Sequence, residues 1–423
     1  MLLYDADRHV IEPIDMWEKY VDPIIFKQFP LHLIEEAMAP SALVDAGGKN
    51  QPVLPTFAIG PFPLLFHWGS ALKLASSQQN DNSKEQRLKA MSAATQLDSM
   101  DSAQVQWACL FPTFAMYIVN HALLPAEVSL AYADAYNRWL KQYCAIDPQR
   151  LRAVGLISRH QPNTLLMQLD RVIDNGWTAI TLRPEVIAKR SLGHSDYALF
   201  WKRAEQHNIA IAIHGGTNLH ASTVGTERFH SRFALHACSH PMEAQMAFVS
   251  LLESGVFERH PNLKFGFLEA GASWVPHWLW RLDNICFPEF PSLVNDNIKM
   301  KPSAYFKRQC WVTLELGEPC LPEVINVIGH KKLLYGSDFP HPDHQHFATL
   351  NIQEQLCELT AQERLDILEN NGRDFYELAM DDIQGERHST PIGQDVGNSA
   401  GNRNSVGNDM HKGKVCEEVL DDA

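Results

Sequence analysis

The chain has 423 residues, enough for one large α/β domain with decorations or for two medium domains. With 45% apolar and 20% charged residues it can bury a sizeable core. Its 36 basic side chains stand against 50 acidic ones, a formal charge of −14 with no basic tract to relieve it, which argues against a nucleic-acid partner.

In chain order, the first apolar run is MLLYDAD (1–7), a buried strand entering a loop. Residues 22–95 then exceed any simple βα connection and read as an insertion, with the aromatic and proline cluster at 55–69 as a lid over an apolar or aromatic substrate, or as packing against the main body. Strand-like runs follow at 106–112, 151–157, 178–184, 208–216, 263–272, 310–316 and 332–340. Amphipathic helical patterns lie between them, among others at 129–146, 164–176, 198–208 and 243–260. The strands are near-continuous apolar runs, as suits strands covered on both faces. Eight such strands alternating with helices predict a closed (β/α)8 TIM barrel over 1–382. The rival is an open doubly wound sheet, but no GxGxxG follows the first strand. From 383 to 423 the chain is rich in Gly, Asn and Ser, and reads as a disordered tail.

No apolar run approaches the ~20 residues of a membrane span, and the N-terminus meets Asp5 before any signal-length apolar core can form. The eight cysteines stand apart with no CxxC pair, so a thiolate zinc site is not expected and a reduced, cytoplasmic setting is. The helical stretch 274–282, with the insertion, suggests a homodimer, although such a stretch can also be buried within one barrel.

Active sites of such barrels lie just past the C-terminal strand ends. Strand alternation points Asp7 and His9 to one side at the first end. The fifth ends in His214, the sixth in Glu269 and the eighth in Asp338, with His341, Asp343, His344 and His346 beyond. Oxygen and imidazole donors from these ends can converge on one cation: zinc first, then manganese or iron, as one ion or two. Each residue also has an ordinary reading: His214 as a core histidine, Asp338 as a helix cap. Around this centre, Asp338 is the candidate general base. Glu269 is an acid/base group, a further ligand or a hydrogen-bonded support. His240 is a substrate contact or a helix-start hydrogen bond. Arg183 could anchor a substrate carboxylate or sit in a salt bridge, and Glu12 could join a second metal site with Glu269 and His341, or bind Arg8 or a loop amide.

The motifs DADRHVIEP (5–13), HPMEAQMAFVSLLESGVFERHPNLKFGFLEAGASWVPHWLWRLD (240–283) and LLYGSDFPHPD (333–343) resemble those of the amidohydrolase-related metal-dependent barrels, in particular the aminocarboxymuconate-semialdehyde decarboxylase branch. The resemblance covers about 1–380 and implies Asp7, His9, His214 and Asp338 as metal ligands. Two departures stand out: Asp7-x-His9 replaces the HxH of many relatives, and Glu269 stands where the decarboxylase branch has an acid/base histidine. The main expectation is a hydrolase that uses metal-activated water on a small substrate. The alternatives are a non-oxidative decarboxylase, a dinuclear iron or iron–manganese oxygenase, and a non-catalytic homologue acting as a partner subunit.

Overall fold

The structure, a computed structural model, describes residues 3–34, 56–64, 80–216, 220–229, 232–289, 292, 295–341 and 352–378. Eight parallel strands form the barrel: β1 (Leu3–His9), β2 (Val105–Phe111), β3 (Leu151–Ala153 and Gly155–Leu156), β4 (Ala179–Leu182), β5 (Ala210–His214), β6 (Phe265–Leu268), β7 (Cys310–Leu314) and β8 (Leu333–Tyr335). The run expected as one third strand is broken at Val154. Its first part pairs with β2 and its second with β4, so one short kink joins the two halves of the sheet. The expected helix at 243–260 is likewise two, Pro241–Glu253 and Val256–Arg259, parted by Gly255 at φ 73°.

β1 and β8 meet without a regular ladder. The Asp338 N–H donates to the Asp7 carbonyl at 2.9 Å and the His9 N–H to the Phe339 carbonyl at 2.7 Å. Gly336 permits this approach, since a Cβ there would stand 2.6 Å from that of Asp7. β1 is also bulged, with Asp5 opposite Ala108 but Arg8 already opposite Leu110.

Side chains fill the barrel. Tyr4 stacks on Trp107 with ring centroids 5.1 Å apart, and Trp311, Leu334, Phe375 and Tyr376 pack in the same cluster. Two larger apolar clusters lie between strands and helices. Helix Trp274–Arg281 contributes Trp274, Val275 and Leu279 to this shell and leaves Trp280 exposed. Among the described residues no helix is long and apolar enough to cross a membrane.

Within the insertion, strands Leu31–Ile34, Thr56–Ile59 and Phe62–Leu64 form a small antiparallel sheet. Phe57 meets Phe114 and Phe62 meets His121, both just past the C-terminal end of β2, so this sheet sits at the end of the barrel where β1, β5 and β8 deliver the candidate ligands. Residues 55 and 65–69 of the lid cluster, the residues Asp343, His344 and His346, and the 383–423 tail lie outside the described residues.

Candidate metal centre

The Asp7–His9 pair, His214 and Asp338 come from three distant stretches of the chain, and all four residues are buried at the strand ends. The His9 Nδ1 lies 3.0 Å from the Pro112 carbonyl, and the His214 Nδ1 lies 3.2 Å from the Gly215 carbonyl. A carbonyl only accepts, so both Nδ1 atoms carry hydrogen and each neutral ring presents a bare Nε2. Those two Nε2 atoms are 3.0 Å apart. They face Asp7 Oδ1 at 3.5 and 3.4 Å, an oxygen that is buried and accepts no hydrogen bond among the described residues. Three lone pairs converging in a buried space repel unless a positive charge lies among them. Asp338 Oδ1 adds a fourth donor, 3.1 Å from the His9 Nε2. Two carboxylates and two imidazoles fit a divalent first-row metal.

The electrostatics favour positive charge at this spot. Burial opposes an imidazolium at His9, but the carboxylates of Asp338 and Asp7 outweigh it and hold its pKa well above the ordinary value. For Asp7 burial acts upward, the neighbouring His214 and His9 act downward, and the net shift is downward.

Glu269 reaches the same cluster. Its Oε2 is 3.2 Å from the His214 Nε2 and its Oε1 is 3.2 Å from the His240 Nε2. Burial and the like charge of Asp338 push the Glu269 pKa up, yet His240 and His214 prevail and leave it well below the usual carboxylate range. For His240 the same partnership works in reverse: burial lowers its pKa, the Glu269 charge and hydrogen bond raise it, and the rise prevails. Glu269 and Asp338 both lie in the left-handed backbone region, at φ 50° and 48°. Such strain in non-glycine residues costs about 1–3 kcal/mol and concentrates at functional sites. His341 completes the group, its Nδ1 2.8 Å from Asp338 Oδ1 and its ring 4.0 Å from that of His9.

Two candidates stand elsewhere. The Glu12 carboxylate accepts from the backbone N–H groups of Thr113, Phe114 and Ala115 at 3.0, 2.8 and 3.0 Å. It therefore serves the N-terminus of helix Phe114–Val119, which matches the backbone-amide reading of Glu12 and not the second-metal one. Arg183 grips Glu185 with Nε and Nη2 and gives its remaining bonds to the carbonyls of Gly215 and Gly216. Its fork is thus held by Glu185 and by the loop that follows His214, which matches the salt-bridge reading of Arg183 and not the carboxylate anchor.

The residues that brace the ligands escaped the sequence reading. Asp5 accepts from the Ser337 N–H at 2.9 Å, from the Ser337 hydroxyl at 2.5 Å and from Arg8 at 3.3 Å, tying β1 to the turn that carries Asp338. The Gln96 amide holds the His9 carbonyl at 3.0 Å. Asp5 shares an alternation face with Asp7 and His9, and Ser337 adjoins Asp338; that was the available signal.

Comparison with known proteins gives the family and the fold. The chain is 26% identical over 218 residues to a 2-amino-3-carboxymuconate-6-semialdehyde decarboxylase from Dictyostelium discoideum, covering 51% of this chain and 58% of that relative, so the match spans under two thirds of the curated protein. An amidohydrolase from Mycobacterium avium subsp. paratuberculosis K-10 superposes with a TM-score of 0.72 at 19% identity, over 89% of this chain and 99% of its own. A 5-carboxyvanillate decarboxylase from Novosphingobium aromaticivorans, complexed with manganese and 4-hydroxy-3-methoxy-5-nitrobenzoic acid, superposes with a TM-score of 0.65 at 16% identity, over 89% and 96%. Two of these three carry the name of a decarboxylase, which moves the weight from the hydrolase expected first to its decarboxylase alternative. The family model described as amidohydrolase matches residues 32–378, all of the barrel after β1, and the chain belongs to that family of enzymes.

Proposed function

We propose that the protein is a metal-dependent, non-oxidative decarboxylase acting on a small acid whose carboxylate adjoins a hydroxyl or carbonyl oxygen, as in an oxygen-substituted aromatic or unsaturated acid. Asp7, His9, His214 and Asp338 would hold the metal, and their mixed oxygen and nitrogen donors suit manganese or iron as well as zinc. A divalent ion there supplies positive charge to the substrate oxygens and to the negative charge that develops as the carbon–carbon bond breaks. The decarboxylase names of the relatives above support the reaction class.

One observation carries the reading: a proton-holding pair, His240 and Glu269, sits against the metal ligands. Decarboxylation releases CO2 from a carboxylate and puts a proton on the carbon it leaves, so the site needs an acid. Hydrolysis by activated water needs a base there instead. Glu269 replaces the histidine of the decarboxylase branch, but it brings the imidazole of His240 to the same place from the start of the helix after β5. Glu269 raises the pKa of that imidazole against burial, and Ser239 and His236 fix its far nitrogen.

The test is turnover in D2O by manganese-loaded protein, with hydroxybenzoates carrying a carboxylate beside the hydroxyl and with muconate-type semialdehyde acids. We expect CO2 release with one deuterium at the vacated carbon, and His240→Gln should lower kcat by roughly 10²–10⁴-fold with metal content unchanged. Hydrolysis of an ester, lactone or amide panel, with no CO2 from any acid, would overturn the proposal in favour of the hydrolase.

A further inference from the structure

We propose that Glu185 is a positioning residue that ties the candidate ligand His214 to the chain segment 220–229, so that metal binding and the seating of this segment favour one another. The inference rests on the metal centre read above, and goes beyond it in coupling that centre to a segment outside its donor set.

The first argument is a continuous run of hydrogen bonds. The Thr223 hydroxyl donates to Glu185 Oε1 at 2.9 Å. The Arg183 guanidinium donates to the same carboxylate, with Nε at 3.0 Å and with Nη2. Its Nη1 reaches the Gly215 carbonyl, and its Nη2 also reaches that of Gly216. The Gly215 carbonyl is the one that lies 3.2 Å from the His214 Nδ1 and takes its hydrogen. That bond leaves Nε2 bare toward the other donors, so a group that holds the Gly215 carbonyl also sets the tautomer and rotation of the ring.

The second argument is that this run has little slack. Arg183, Glu185 and Thr223 are each only 1% exposed. Gly216 has φ 120°, and a Cβ there would lie 2.8 Å from the Arg183 Nη1, so the backbone is bare where the guanidinium closes on it. Burial acts to lower the Arg183 pKa, yet the Glu185 charge prevails and raises it, which favours the ionised pair. A buried carboxylate oxygen that loses a donor must find another. Water that replaces Thr223 therefore competes with Arg183 for Glu185, and the disturbance passes to Gly215 and His214.

The third argument is where the segment lies. His220 stacks on His121 past the end of β2, and its carbonyl accepts from the Ala122 N–H at 2.7 Å. The Val224 N–H donates to Glu243 Oε1 at 2.5 Å, three residues after His240 in the chain. Thr223 reaches Glu185, past the end of β4. The segment thus crosses the strand-end face, and Thr223 gives it, through Glu185, its tie to His214. Linkage makes such a tie reciprocal: if seating the segment strengthens metal binding by some factor, the metal steadies the segment by the same factor.

The experiment uses full-length protein depleted of metal. Mn²⁺ affinity is read by calorimetry, and amide hydrogen exchange over 220–229 by mass spectrometry with and without Mn²⁺. In the parent we expect Mn²⁺ to slow that exchange by roughly 5–150-fold, the usual span of a coupling between two sites. Thr223→Val removes one hydroxyl and keeps the shape of the side chain. It should weaken Mn²⁺ binding by the same factor and abolish the slowing by metal, circular dichroism confirming the fold, and Glu185→Gln should do likewise. A bond that only braces the fold would move the melting temperature and leave Mn²⁺ affinity alone. Mn²⁺ bound as tightly by both variants as by the parent would overturn the coupling and leave the metal centre standing, as would a parent whose exchange ignores Mn²⁺. A parent that binds no Mn²⁺ would remove the centre and the coupling together.

Discussion

Asp5 shows how much a candidate metal centre depends on residues outside its donor set. Its carboxylate is buried and receives the Ser337 backbone and hydroxyl as well as Arg8, whose guanidinium also bonds Ser99 at 2.7 Å and lies 4.0 Å from the Phe339 ring. Burial pushes the Asp5 pKa up against these partners. Asp5→Asn leaves Arg8 buried without its charge partner, a change that costs on the order of 3–5 kcal/mol when a buried pair is broken. It also loosens the turn bearing Asp338, and such supports are worth roughly 10–100-fold in metal affinity. Both effects are measurable, by urea denaturation and by competition for Mn²⁺ with a chelator, and a variant equal to the parent in both would mean that Ser337 and Arg8 need no carboxylate. The four candidate ligands were legible because aspartate and histidine are conspicuous at strand ends. Asp5 was not, because nothing in DADRH says which aspartate points at a cation and which at a serine more than 300 residues away.

The strands tell a similar story about what local pattern carries. All eight barrel strands were visible as apolar runs, since each must be covered by interior side chains on one face and helices on the other. The break at Val154 and the bulge in β1 were not, because they answer to register with neighbouring strands and not to composition. The seam between β1 and β8 is the sharpest case. YGSDFP reads as a turn, but Gly336 is needed for a particular reason: an added methyl would lie 2.6 Å from the Asp7 Cβ and 3.5 Å from its Cα and N. Gly336→Ala must therefore push β1 from β8 at the point where each delivers a carboxylate. Overpacking of this kind costs about 1–3 kcal/mol. The variant should melt below the parent and lose Mn²⁺ affinity, whereas Gly176→Ala, where no atom lies within 4 Å, should leave Mn²⁺ affinity unchanged. Equal metal affinity in Gly336→Ala would show that the seam can open without moving Asp7.

Across the molecule the insertion is tied to the barrel through histidines, and this gives the fold a pH dependence that no linear motif announces. The His121 Nε2 faces the Pro63 carbonyl at 3.2 Å, so it carries the hydrogen, while Nδ1 accepts from the Leu123 N–H at 3.2 Å. Both nitrogens are committed, and a second proton would have to displace Leu123. His220 stacks on this ring with centroids 4.1 Å apart, and His160 donates through Nε2 to the His121 carbonyl at 3.0 Å. Burial lowers the pKa of all three; for His220, with the neighbouring His121 charge adding to it, the fall is to about 3 from an ordinary 6.5. Between those values the unfolded chain binds the His220 proton and the folded chain does not, so stability is full above about 6.5 and is lost progressively as pH falls toward 3. At pH 5 that one ring costs about 2 kcal/mol relative to neutral pH. The hairpin at 56–64, which rests on His121, should show the loss first, as faster amide exchange at pH 5 than at pH 7 after correction for intrinsic rates. His220→Gln removes the titrating group and should flatten the slope of unfolding free energy between pH 5 and 7, measured in metal-depleted protein so that ligand protonation at the metal centre is kept apart. Parent and variant curves that run parallel over this range would mean that His220 takes up its proton in the folded chain as readily as in the unfolded one.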